Sequence, residues 1–120
     1  KTLQAIAFLA TVPAGTVGKK SLVVCPASLI YNWGEELQRF APQLSVTLIL
    51  GTAAQRKALR EQGSGADVWV TSYELLRQDS AAYEAEAFYS CFLDEAQHIK
   101  NIVTQISKAV KKTMPANALY

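Results

Sequence analysis

Cysteine is nearly absent from this 120-residue chain: Cys25 and Cys91 are the only two, beside one histidine and one methionine. Each sits inside or at the end of an apolar run, with no second cluster of metal-ligating residues nearby. The pair therefore reads as small buried hydrophobes in a reducing compartment, not as a disulfide or a zinc site. Long hydrophobic runs are missing too. No stretch approaches the ~20 apolar residues of a membrane span, and no charged-then-apolar leader with a small-residue cleavage site occurs, which predicts a soluble, cytoplasmic protein with no membrane partner. Internal repeats, low-complexity tracts and linkers are also lacking. What remains is a chain that is half hydrophobic, long enough to bury a core and to form one domain.

Charge of one sign is scarce as well. A net charge of +2 is too small to argue for nucleic acid by itself, but its distribution is uneven. Residues 1–34 carry Lys1, Lys19 and Lys20 without an acid, and residues 96–120 carry Lys100, Lys108, Lys111 and Lys112 without an acid. Between them lie Glu74, Asp79, Glu84 and Glu86. This separation offers a basic face to a phosphate backbone or, equally, a solvated helix surface.

The pattern along the chain alternates strands and helices. Leu3–Ala10 reads as a helix, and Val12–Lys20, with Pro13, Gly15 and Gly18, as a loop. Ser21–Cys25 reads as a buried strand stopped by Pro26, and Ser28 as the cap of a helix reaching Phe40. Val46–Leu50 is the next strand. Thr52 and Gln55 have capping-box spacing for a helix through Glu61, ended by Gly63-Ser64-Gly65. Val68–Thr71 is a third strand, and Thr71 and Glu74 repeat the capping-box spacing. Tyr83–Ala87 reads as helical, Phe88–Leu93 as a fourth strand, and Thr104–Thr113 as a basic helix before Pro115. Strands separated by helices predict an α/β fold with a parallel sheet. Trp33 and Trp69, each in an apolar segment, are expected in the core and not stacked on bases.

The chemistry concentrates at Asp94-Glu95-Ala96-Gln97, on the end of the last apolar strand and followed by His98-Ile99-Lys100-Asn101. A hard carboxylate at a fixed strand end suits magnesium bridging nucleotide phosphates, and a second acid beside it suits an attacking water. Asp94 fits the metal role and Glu95 the base role; an exposed acidic turn is the plain alternative. At the other end, Lys1-Thr2-Leu3-Gln4 reads as the tail of a phosphate-binding loop beginning at its lysine, where the lysine reaches phosphates and the Thr2 hydroxyl binds Mg2+.

With Leu22–Leu29, Asn32-Trp33 and Val70–Leu76, these segments form four motifs in a familiar order. The chain resembles the first RecA-like lobe of the Swi/Snf-type ATPases of helicase superfamily 2, double-stranded-DNA translocases, over essentially its whole length. The resemblance implies an α/β, parallel-sheet RecA-like (P-loop NTPase) lobe truncated at both ends, lacking the phosphate-loop glycines, motif III and the second lobe. It implies ATP and Mg2+ as cofactors, with Lys1, Thr2 and Gln4 at the nucleotide, Thr2 and Asp94 at the metal, Glu95 activating water, and Gln97 and His98 sensing the γ-phosphate. Contacts to the duplex backbone fall on Pro26, Ser28, Thr71, Ser72, Tyr73, Lys100 and Asn101. For Ser28, Thr71, Ser72 and Tyr73 helix capping competes with that role, and for Lys100 and Asn101 a solvated surface does. Gln97, where many eukaryotic members have His, points to a bacterial member. The expected partners are double-stranded DNA and the second lobe of the parent chain, and an incomplete sheet edge beside the Asp94 strand suggests self-association of the fragment, which by itself should hydrolyse little ATP. An RNA helicase, a restriction-type translocase subunit and a non-catalytic RecA-like interaction module are the alternatives.

Overall fold

The computed structural model describes residues 6–7, 20–63, 65–84 and 90–94. Four strands form one parallel sheet: β1 (Ser21–Cys25), β2 (Val46–Leu48), β3 (Val68–Ser72) and β4 (Ser90–Leu93), in the spatial order β2-β3-β1-β4. Between them run a 3-10 turn at Ala27–Leu29 and the helices α1 (Ile30–Phe40), α2 (Ala53–Gln62), α3 (Tyr73–Gln78) and α4 (Ser80–Glu84).

The central strands are apolar at nearly every position because both faces of the sheet are covered. Successive side chains of a strand point to opposite faces. Val23 and Cys25 of β1 join Val68 and Val70 of β3 on one face, under Ile30, Trp33 and Leu37 of α1. Leu22 and Val24 join Trp69 on the other, under Tyr73 and Leu76 of α3 and Tyr83 of α4. Trp69 meets the edge of the Tyr83 ring, with centroids 5.9 Å apart, and its indole N–H donates to the Gly63 carbonyl at 2.8 Å. Both tryptophans therefore belong to the core, as their apolar settings predict.

β1 has the bounds read from the sequence. α2 begins as its spacing dictates: the Thr52 hydroxyl accepts from the Gln55 amide and the Gln55 side chain accepts from the Thr52 amide, a complete capping box. The chain reaches that cap through Gly51, whose φ of 102° is a conformation L side chains resist. Gly34, in the middle of α1, costs helix propensity but lets the helix approach β2, since a Cβ there would stand 3.1 Å from a Leu48 methyl.

Four expectations are corrected. Ser28 caps nothing: the 3-10 turn intervenes, and the residue before α1 is Leu29, without a side-chain cap. The cap of α3 is Ser72, whose hydroxyl accepts from the Leu75 amide at 3.2 Å, and not Thr71. β3 runs one residue further than its apolar pattern because Ser72 still pairs with Cys25 of β1. β2 is shorter than expected, ending at Leu48, although the Ile49 amide still reaches the Val70 carbonyl at 2.8 Å.

Candidate nucleotide and nucleic-acid site

Parallel strands deliver their carboxyl ends to one edge, and in open α/β sheets that edge is where ligands bind. Here β1 lies between β3 and β4, with Cys25 level with Ser72 and Val24 level with Leu93. Three segments singled out in the sequence consequently emerge side by side: Pro26–Ser28 after β1, Tyr73 after β3 and Asp94 after β4.

Asp94 is half-buried and fastened at three points. Its amide donates to the Val24 carbonyl at 2.8 Å, which closes the last pair of the β1–β4 ladder. Its own carbonyl accepts from the Tyr73 hydroxyl at 2.6 Å. Its carboxylate Oδ2 accepts from the Trp33 indole Nε1 at 2.9 Å. Trp33 is 3% exposed and Tyr73 5% exposed, so both donors arrive from packed positions. Each satisfies the polar tip of a buried aromatic ring, as such tips require.

The neighbouring polar groups are mostly occupied. Thr71 is fully buried and its hydroxyl donates to the Ile49 carbonyl at 3.0 Å. The Ser72 hydroxyl accepts in its cap, which leaves its O–H as a donor. For Thr71 and Tyr73, whose hydroxyls already donate, a phosphate contact through the side chain would require breaking a formed hydrogen bond. Ser28 is exposed and Pro26 half-buried at the mouth of the same edge. Burial beside the Asp94 charge pushes the Cys25 thiol up to about 12. Cys25 is thus a neutral hydrophobe at physiological pH, not a nucleophile.

Among the described residues no group of three or more His, Cys, Asp and Glu side chains could cage a metal. Magnesium does not demand such a cage; it binds through one or two carboxylates together with substrate phosphates and water. Asp94 offers that kind of ligand, a hard oxygen on a strand end whose orientation is fixed. Lys1, Thr2, Gln4, Glu95, Gln97, His98, Lys100 and Asn101 lie outside the described residues. So does the basic 96–120 stretch. Of the lysines that suggested a basic face, Lys20 is described, and its ammonium sits 4.2 Å above the Trp69 ring.

Sequence reasoning missed one polar cluster. Arg56 on α2 is 5% exposed and donates from Nε to Asp79 Oδ2 at 2.6 Å, from Nη1 to the Gly51 carbonyl at 2.8 Å and from Nη2 to Gln78 at 3.3 Å. Arg60 adds a second contact to Asp79 at 2.9 Å. The hydrogen bond from Arg56, reinforced by both guanidinium charges and opposed by burial, holds the Asp79 carboxyl below its ordinary value. The cluster ties α2 to the end of α3, the helix whose first residue reaches Asp94. Of the acids that make up the negative middle of the chain, Asp79 is thus a structural partner, and Glu74 pairs with Arg77 on the surface of α3.

Comparison with known proteins shows the family and agrees with the fold. The SNF2-related domain family is matched over residues 1–119. The TATA-binding protein-associated factor MOT1 of Saccharomyces cerevisiae is 41% identical over 77% of this chain and 5% of its own length. The putative ATP-dependent helicase/translocase YwqA of Bacillus subtilis is 39% identical over 93% of this chain and 12% of its own. The SWI2/SNF2 ATPase core of Sulfolobus solfataricus, solved in complex with double-stranded DNA, superimposes with a TM-score of 0.73 at 35% identity, over 95% of this chain and 23% of that one. The chain thus spans a small part of the proteins it matches. Relatives of this similarity occur in eukaryotes and bacteria alike, so the bacterial origin expected from Gln97 gains no support.

Proposed function

Because this chain belongs to the SNF2-related domain family, we propose that it forms the first RecA-like lobe of an ATP-driven translocase on double-stranded DNA. The observation that carries the reading is the convergence at one sheet edge: Pro26–Ser28, Tyr73 and Asp94 emerge side by side there, and Asp94 accepts hydrogen bonds from Tyr73 and from Trp33 of α1. A motor must link a nucleotide site to a nucleic-acid grip, and here Tyr73, at the end of β3, is bonded directly to the candidate metal ligand.

When bound with ATP, Mg2+ supplies charge neutralisation of the phosphates. Asp94 and Thr2 would hold the ion, Lys1 and Gln4 would contact the nucleotide, and Glu95 would orient the attacking water and accept its proton. Gln97 and His98, whose side chains can exchange hydrogen-bond partners, would report the presence of the γ-phosphate. Pro26 and Ser28, with Lys100 and Asn101, would hold the duplex backbone; Ser72 would add its O–H, and at Thr71 and Tyr73 the contact would come from the main chain. A second lobe of the same parent chain would close over the nucleotide. Strand separation does not follow from these groups.

A motor that accepts any sequence grips phosphates, not bases. Duplexes of unrelated sequence should therefore bind the intact protein with equal affinity, and the logarithm of that affinity should fall linearly with the logarithm of salt concentration. Affinity that follows sequence and ignores salt in a titration of this kind would contradict the reading.

A further inference from the structure

We infer that Trp33 is a positioning residue for the Asp94 carboxylate, its indole N–H selecting which oxygen faces the nucleotide edge. Trp33 is held in the α1 core beside Ile30 and Leu37 and against β1, so Nε1 has little freedom of its own. That atom is a donor only, and its 2.9 Å bond to Oδ2 is assisted by the carboxylate charge. Oδ2 is thereby engaged, and Oδ1 has no partner among the described residues. The main chain of Asp94 is independently fixed by Val24 and by Tyr73. With backbone and one oxygen both set, the plane of the carboxylate is defined before any ligand arrives, and among the described residues nothing competes with a hard cation for Oδ1. This rests on the reading of Asp94 as a magnesium ligand given above, and adds to it the group that orients the ligand.

Groups that orient a metal ligand through a hydrogen bond typically change metal affinity 10–100-fold when removed. The test uses Mn2+ as the probe, its binding to the intact protein with ADP followed by electron paramagnetic resonance. Trp33→Phe keeps the ring packing and removes the donor. It should weaken Mn2+ binding about tenfold while leaving metal-free ADP binding unchanged. Asp94→Asn serves as the reference and should weaken Mn2+ binding at least as much. If Asp94→Asn weakens the metal and Trp33→Phe does not, the inference fails and the metal reading stands. If Asp94→Asn changes nothing, both fail. A purely structural role for Trp33 would lower stability and leave Mn2+ affinity intact, which also overturns the inference. Should Trp33→Phe not fold, the wild-type protein decides: the Trp33 indole N–H resonance should move when Mg2+ and ADP are added together, and an unmoved resonance refutes the positioning role.

Discussion

Glu95→Gln in the intact protein should lower the turnover number for ATP by about 10²–10⁴-fold and leave ATP binding nearly as tight. The substitution preserves size and hydrogen-bonding reach but removes the only chemistry the water needs from this side chain, a site to receive its proton. Binding survives because the cation is assigned to the neighbouring Asp94 and to Thr2, and the nucleotide to Lys1 and Gln4. The expected signature is therefore a loss in kcat without a compensating rise in KM, the pattern of an interaction made in the transition state alone. Steady-state hydrolysis beside equilibrium nucleotide binding distinguishes the two. Wild-type turnover in the variant would mean that the proton acceptor lies elsewhere.

The largest effect on stability should come from Asp79→Ala. Removing this carboxylate leaves Arg56, buried on α2, and Arg60 without their shared counter-charge. Leaving a partly buried charged donor without its acceptor costs about 1–3 kcal/mol, a sizeable share of the 5–15 kcal/mol that holds a typical domain together. Amide hydrogen exchange in α2 and α3 should accelerate accordingly, because those two helices are joined through this cluster. The pH dependence has a definite sign. The Asp79 carboxyl is held below its ordinary value in the folded state, so the unfolded chain takes up a proton there first. The contribution is complete above the unfolded carboxylate pKa of about 3.9 and is lost as pH falls through the lower folded value. Exchange measured down an acid series should show this loss in the wild type and a flatter profile in Asp79→Asn. Unaltered protection of α2 and α3 in Asp79→Ala would show that the cluster is incidental to the fold.

Local signals in the sequence were accurate where the chain's own neighbours decide the structure. The Ser21–Cys25 strand is uniformly apolar because both of its faces are covered, and Pro26 ends it. The Thr52/Gln55 box is a contact three residues apart, visible in spacing alone. The failures have the same origin in reverse. Ser28 has the composition of a cap, yet the chain leaves Pro26 as a 3-10 turn, so the helix opens later at Ile30. Thr71 and Ser72 are interchangeable as caps by type; the ladder partner of Ser72, Cys25, lies 47 positions earlier and decides which of them leaves the sheet.

The site was legible as a set of segments and not as a set of contacts. Asp94 and Tyr73 stand out in their motifs, but that Tyr73 turns inward to the Asp94 carbonyl depends on β3 and β4 flanking β1. Trp33 is readable as a core residue from its apolar surroundings. Its indole donor, with a partner 61 positions away, leaves no periodicity to detect. The same holds for Arg56 and Asp79, 23 positions apart, which in the sequence are two members of a scattered charge pattern. The only available hint was that a buried aromatic tip or a buried guanidinium must find a partner.

The central claim is that this lobe serves a duplex-DNA motor. ATP hydrolysis by the intact protein, measured alone and with duplex DNA, single-stranded DNA or RNA, tests it most directly. The account predicts strong stimulation by duplex DNA of any sequence and little by RNA. Hydrolysis that RNA stimulates best, or that no nucleic acid changes, would contradict it.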